Sequence, residues 1–128
     1  MEAIIRIIIF LIFLITNKYL LAEPVSGHTV VLQVLEKVSA RISTLEIPVG
    51  TKVLYGSLII EILDCKKRPP EEVPEDFVLM LIKEEVSSKE FKRIFQGWML
   101  SSSPTIAPFE NPTYDVWVID CKIDKDSE

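Results

Sequence analysis

Two cysteines, one histidine and a few clustered charges are the residues with chemistry to offer in this sequence. Cys65 and Cys121 stand 56 residues apart. That spacing excludes a CxxC-type redox pair, and with His28 as the sole histidine it leaves too few ligands for zinc. A Ser-His-Asp hydrolase would have to draw on His28 and the serines at 101–103, and no G-x-S-x-G occurs. Cys-His nucleophilic catalysis would consume a cysteine that a bridge needs. Glu71, Glu72, Glu75 and Asp76 are adjacent acids beside prolines, a pattern of solvated charge more than of a glycosidase pair. No acidic loop of calcium-binding form is present, and Asn111-Pro112-Thr113 is barred from glycosylation by its proline. No catalytic residue, cofactor or metal is therefore expected.

What remains are binding candidates. Lys66, Lys67 and Arg68 place three positive charges before Pro69 and Pro70, with Glu71 and Glu72 directly after. A charged segment on a proline-stiffened backbone loses little entropy on docking; its plain alternative is a solvated connection. Trp98 follows Gly97 in an apolar run. If Phe95 and Met99 fill the core, Trp98 is left outside, where a tryptophan is a typical binding hot spot. Its plain alternative is packing beneath the proline-rich segment at 101–113.

These residues need a scaffold and an address. The chain opens with Arg6 before nine uninterrupted apolar residues, Ile7 to Ile15, and Thr16-Asn17-Lys18 then breaks the run. As a helix that run spans only ~14 Å, against roughly 30 Å of hydrocarbon in a bilayer. A short apolar core behind a basic start, with a small residue at Ala22, is the layout of a signal peptide over residues 1–22. An uncleaved anchor from Ile4 to Ala22 is the alternative, and the one way a membrane would be involved. Export to the periplasm places both cysteines in an oxidising compartment, where an even count favours a bridge. Closing Cys65 to Cys121 limits the unfolded chain by roughly 4 kcal/mol on the loop-entropy model.

The chain carries −5, and residues 1–22 contribute Arg6 and Lys18 against Glu2, so the remainder is more acidic still. Such a domain gains nothing from counterion release on a phosphate backbone, and no nucleic-acid partner is expected. From residue 23 to 122 the pattern is strand and turn. Expected strands cover His28–Val38, Arg41–Val49, Lys52–Tyr55, Leu58–Cys65, Phe77–Val86, Phe91–Leu100 and Tyr114–Cys121, on period-2 alternation and turn residues. Val30, Leu32, Val34 and Val38 form one inward set. Leu58–Cys65 is apolar on both faces, as a central strand would be. Strict alternation puts Cys65 with Leu63 and Ile59, and Cys121 with Ile119 and Trp117, making Trp117 a core residue beside the bridge. Lys66–Asp76 is expected to be a loop, and residues 123–128 a charged tail. About seven short strands in one domain mean an all-β fold, a small antiparallel sandwich or barrel.

From Arg41 onward the sequence resembles the bacterial exported proteins grouped as domain of unknown function 2155. The resemblance rests on Pro48-Val49-Gly50, Tyr55-Gly56, Cys65-Lys66-Lys67-Arg68-Pro69-Pro70-Glu71-Glu72, Phe95-Gln96-Gly97-Trp98-Met99, Ser101 to Pro104, and Asn111 to Cys121. It departs at Gln96, where that family more often has a small residue. It implies a periplasmic β-rich domain of Gram-negative type with both cysteines in pattern, and it brings no activity. The expected role is a non-catalytic module that binds an envelope protein or polymer. The rival is a β-barrel carrier of a small ligand or lipid, which would turn Trp98, Phe91, Phe109 and Tyr114 toward an enclosed space.

Overall fold

The computed structural model describes residues 1–15, 23–102 and 111–124. Helix α1, Glu2–Ile15, buries none of its side chains. Eight strands follow: β1 (Val25–Ser26), β2 (Thr29–Glu36), β3 (Arg41–Pro48), β4 (Lys52–Tyr55), β5 (Leu58–Lys67), β6 (Asp76–Ser87), β7 (Glu90–Leu100) and β8 (Tyr114–Lys122). All seven strands expected from the sequence are present, and β1 is an eighth. They form two antiparallel sheets. In the five-stranded sheet β5 pairs with β6 on one side and with β1 and β4 on the other, and β7 extends the sheet beyond β6. The three-stranded sheet runs β3-β2-β8. The proposed cleavage point at Ala22 and the aromatic Phe109 lie outside the described residues.

Alternation explains most of the core. Val30, Leu32 and Val34 from β2, Ile47 from β3, Leu58, Ile60 and Ile62 from β5, and Val78, Met80 and Ile82 from β6 are all fully buried between the sheets. Each is a β-branched or long apolar residue at every second position, as a strand with one buried face requires. Two corners pass the chain between sheets. Gly27 donates its N–H to Cys65 O while His28 donates to Lys122 O; likewise Val49 donates to His28 O and Gly50 to Ile62 O. Successive backbone groups thus satisfy opposite sheets, and each strand bends across the corner without an orphaned donor.

Where the structure departs from simple alternation, the reason is local. Val38 sits in the turn between β2 and β3 and is 84% exposed, so it leaves the inward set. Lys66 and Lys67 are strand residues rather than loop, because β1 pairs with them as Val25↔Lys67 and Ser26↔Lys66. Strand β5 is central yet not buried on both faces, since Leu63 is 40% exposed. Gly97 and Trp98 lie within β7, as the expected strand Phe91–Leu100 places them, paired with Met80 and Leu79.

Candidate functional site

The disulfide lies at the end of the sandwich where both sheets meet. Cys65 and Cys121 are fully buried and bridged, with Cα atoms 6.0 Å apart. A β-bulge precedes each cysteine by two residues. On β5 the pairing jumps from Ile62↔Met80 to Asp64↔Leu79, leaving Leu63 as the extra residue. On β8 it jumps from Val118↔Leu32 to Asp120↔Val31, leaving Ile119 as the extra residue. An extra residue inverts the inward-outward phase beyond it. Cys65 therefore shares its buried face with Ile62 and Ile60, and Cys121 with Val118 and Val116. Leu63 and Ile119 turn outward, and Trp117 is a half-buried residue of the outer face, not a core tryptophan. Gly27 closes over the bridge: a Cβ there would lie 2.7 Å from Cys65 Sγ and 2.7 Å from Lys122 O.

Beyond Cys65 the strand splits the basic triplet between two faces. Lys67 turns to the sandwich end, where its Nζ donates to Asp120 Oδ1 at 2.8 Å and lies 3.6 Å from Asp76 Oδ1. Burial works to lower the Lys67 pKa, but the Asp120 hydrogen bond and the charges of Asp76 and Asp120 raise it overall. The Asp76 pKa is raised as well, but by burial, which disfavours its charged form; Lys67 pulls against this and neighbouring Asp120 adds to it. Asp76 Oδ1 is buried and accepts no hydrogen bond among the described residues. Beside it Glu75 is buried but well bonded. Ser101 Oγ donates to its Oε1 at 2.9 Å, Ser102 N–H to the same oxygen at 2.9 Å, and Ser102 Oγ to Oε2. Burial alone would raise the Glu75 pKa; the Ser102 and Ser101 bonds and the nearby Arg68 charge outweigh it and hold the carboxyl low.

Lys66 and Arg68 turn outward. The Arg68 guanidinium stands 5.6 Å from the centre of the Phe77 ring, within the range where a cation is attracted to an aromatic face. Lys66 pairs across to Phe77, and its Nζ donates to Ser26 Oγ at 3.2 Å and lies 3.9 Å from Asp64. Trp98, 40% exposed, pairs across to Leu79, one row from Lys66 and Phe77. Pro24, Lys66, Phe77 and Trp98 line a shallow cleft of about 300 Å³. Glu72 lines a second cleft of about 260 Å³ with Lys67, Arg68, Pro69, Pro70, Pro74, Glu75, Asp76 and Ile123, while Glu71 is exposed on the same turn. So Lys66, Arg68 and Trp98 share one surface, and Lys67 is withdrawn from it into an ion pair. Phe77 and Pro24 were missed by the sequence reading, because only strand register brings them to Trp98.

Among the described residues, His28 and the serines at 101 and 102 have separate partners. His28 Nδ1 lies 2.8 Å from Thr29 Oγ1 and its Nε2 lies 3.6 Å from Asp124, while Ser101 and Ser102 donate to Glu75. Among the described residues no three histidine, cysteine or acidic side chains are grouped to hold a metal. No described helix is long and apolar enough to cross a membrane.

Taken together, these features define a small two-sheet β domain closed by one disulfide, with an aromatic and basic surface on its larger sheet. Residues 30–121 match the family described as an uncharacterized protein conserved in bacteria, domain of unknown function 2155, and the chain belongs to that family. An uncharacterized protein of Rickettsia prowazekii (strain Madrid E) is 30% identical over 87 residues, which cover 68% of this chain and 56% of that relative. The chain thus spans little more than half the length of the curated relative it matches. No solved structure matches.

Proposed function

We propose that this protein is an exported, periplasmic, non-catalytic module that binds an envelope protein or polymer through the outer face of its five-stranded sheet. The observation that carries this reading is the clustering of Trp98, Phe77, Lys66 and Arg68 on one face of an otherwise acidic chain. Antiparallel sheets with one solvated face ordinarily alternate apolar-in with polar-out. Here the outward positions of β6 include Phe77, Leu79 and Leu81, each partly exposed. Exposed aromatics rimmed by charge are the usual composition of a docking surface. The carrier alternative would turn the aromatics inward, whereas Trp98 and Phe91 are 40% and 43% exposed. Tyr114 is buried, but it packs against Gly56 and edge-on to Tyr55. Export is supported by the apolar leader and by the bridge between Cys65 and Cys121.

The test is a photo-crosslinking residue placed at Leu81, on this face, and at Thr44, on the other sheet, in cells that export the protein. Leu81 should capture a protein or polymer that Thr44 does not, and Trp98→Ala should abolish capture while melting near wild type. Equal capture at both positions would end the proposal. N-terminal sequencing of the periplasmic fraction should begin near Glu23; finding Met1 would mean an anchored protein.

A further inference from the structure

Resting on that reading of the face, we infer that its partner is an acidic, amphipathic α-helix of another protein. The face has an apolar centre and cationic ends. Leu79, Leu81 and Trp98 occupy the middle rows, as the pairs Leu79↔Trp98 and Leu81↔Gln96 show. One end carries Lys66 and Arg68 beside Phe77, and the other carries Lys83 paired with Arg93. Lys52 adds a further cation at the margin, paired with Glu61. The acids of the face are Glu61 and Asp64, on β5 beside Leu81 and Leu79, and Glu85 beyond Lys83; Asp64 is already near Lys66 at 3.9 Å, so the apolar centre is the β6–β7 side of these rows.

Four occupants can be compared on these facts. A second copy, related by a twofold axis through the middle of the face, would bring cationic ends against cationic ends whichever way it was turned, because both ends are basic. The chain's own helix α1 buries no residue, so it does not lie there. An extended peptide laid across β5 and β6 would meet strands whose backbone groups are already paired on both sides, and its own N–H and C=O groups would be buried without partners. A helix satisfies its backbone internally and needs only an apolar stripe and matching charge. From Phe77 to Lys83 is six strand steps, roughly 20 Å, the length of about 13 helical residues. The partner helix therefore carries an apolar stripe of about that length with carboxylates at both ends.

The probes are two synthetic helical peptides that share one leucine stripe, one flanked at both ends by glutamates and one by lysines. Binding to the domain is followed by Trp98 fluorescence in a Trp117→Phe background, beside vesicles of phosphatidylglycerol and sedimentation of the protein alone. The glutamate peptide should bind at least tenfold tighter than its lysine twin, the advantage should shrink as salt rises, and Lys66→Glu with Arg68→Glu should reverse it while leaving the melting temperature near wild type. Equal affinity for the two peptides overturns the inference. So does vesicle binding lost in the same double variant, or self-association lost in Trp98→Ala. If the peptide preference fails while Leu81 still crosslinks a protein, the partner's chemistry is wrong and the binding role stands. If Leu81 crosslinks nothing, the role itself falls.

Discussion

Glu75 and Asp76 are neighbours in sequence, and their surroundings drive their acidities apart. Glu75 is held low by Ser101 and Ser102 once burial is outweighed; Asp76 is pushed up by burial. The signs of their contributions to stability are therefore opposite. Glu75, with its folded pKa below the unfolded value of about 4.3, contributes stability at neutral pH that is lost as pH falls below that value. Asp76, with its folded pKa above the unfolded value of about 3.9, contributes stability in acid that is lost as pH rises through the folded value. Urea unfolding across pH 2–7, a range of about five units chosen to span both, should show Glu75→Gln losing about 1.5–3 kcal/mol near neutrality, the scale of hydrogen bonds to a charged group, and losing less on acidification than wild type. Asp76→Asn should abolish the gain on the acid side. The bridge is the other residue-scale test. Cys65→Ser should cost roughly 2–5 kcal/mol, and non-reducing mass spectrometry of the wild type should find both thiols oxidised. Gly27→Ala should also destabilise, because its methyl meets both sulfurs and the Lys122 carbonyl.

At the scale of the strand, two bulges decide which way the site residues point. Leu63 and Ile119 are the extra residues, 40% and 42% exposed, and each resets the phase before a cysteine. Deleting Leu63 should regularise β5 and keep Cys65 inward, so the shortened protein should still form its bridge. Leu63→Thr should change stability by no more than about 0.5 kcal/mol, while Ile62→Ala, one residue away, should cost about 2–5 kcal/mol. Trp117→Ala should fall well below the ~3–5 kcal/mol of a core tryptophan, because the bulge at Ile119 leaves Trp117 half-buried outside. Period-2 patterning made β2, β3 and β6 legible in the sequence, and on β2 it reached the buried residues Val30, Leu32 and Val34. It failed at Trp117 and Leu63 because an extra residue inside a continuous apolar run leaves no mark in composition. Trp98 was legible only as one of two alternatives, outward if Phe95 and Met99 filled the core. The separation of Lys67 from Lys66 and Arg68 was not, because Asp76 and Asp120 reach Lys67 only once β5, β6 and β8 are assembled.

For the whole molecule the stability of the domain should not depend on helix α1. Helix α1 is apolar and buries nothing, and β1 brings the chain into the five-stranded sheet beside Pro24, Lys66 and Trp98. Every residue of α1 is exposed, so the face that is proposed to take a partner helix is left uncovered by it. If the core is closed without the leader, as the buried set drawn from β2 to β8 indicates, the chain from Glu23 onward should unfold at the same temperature and with the same denaturant slope as the full chain. The slope matters because it follows the surface exposed on unfolding: a leader packed on Leu79, Leu81 and Trp98 would raise it as well as the melting temperature. An equal slope with a blue-shifted Trp98 in the full chain would not arise from a free leader either. A higher slope in the full chain that falls to the shortened chain's value in Trp98→Ala would put α1 on the face and overturn its exclusion as the occupant.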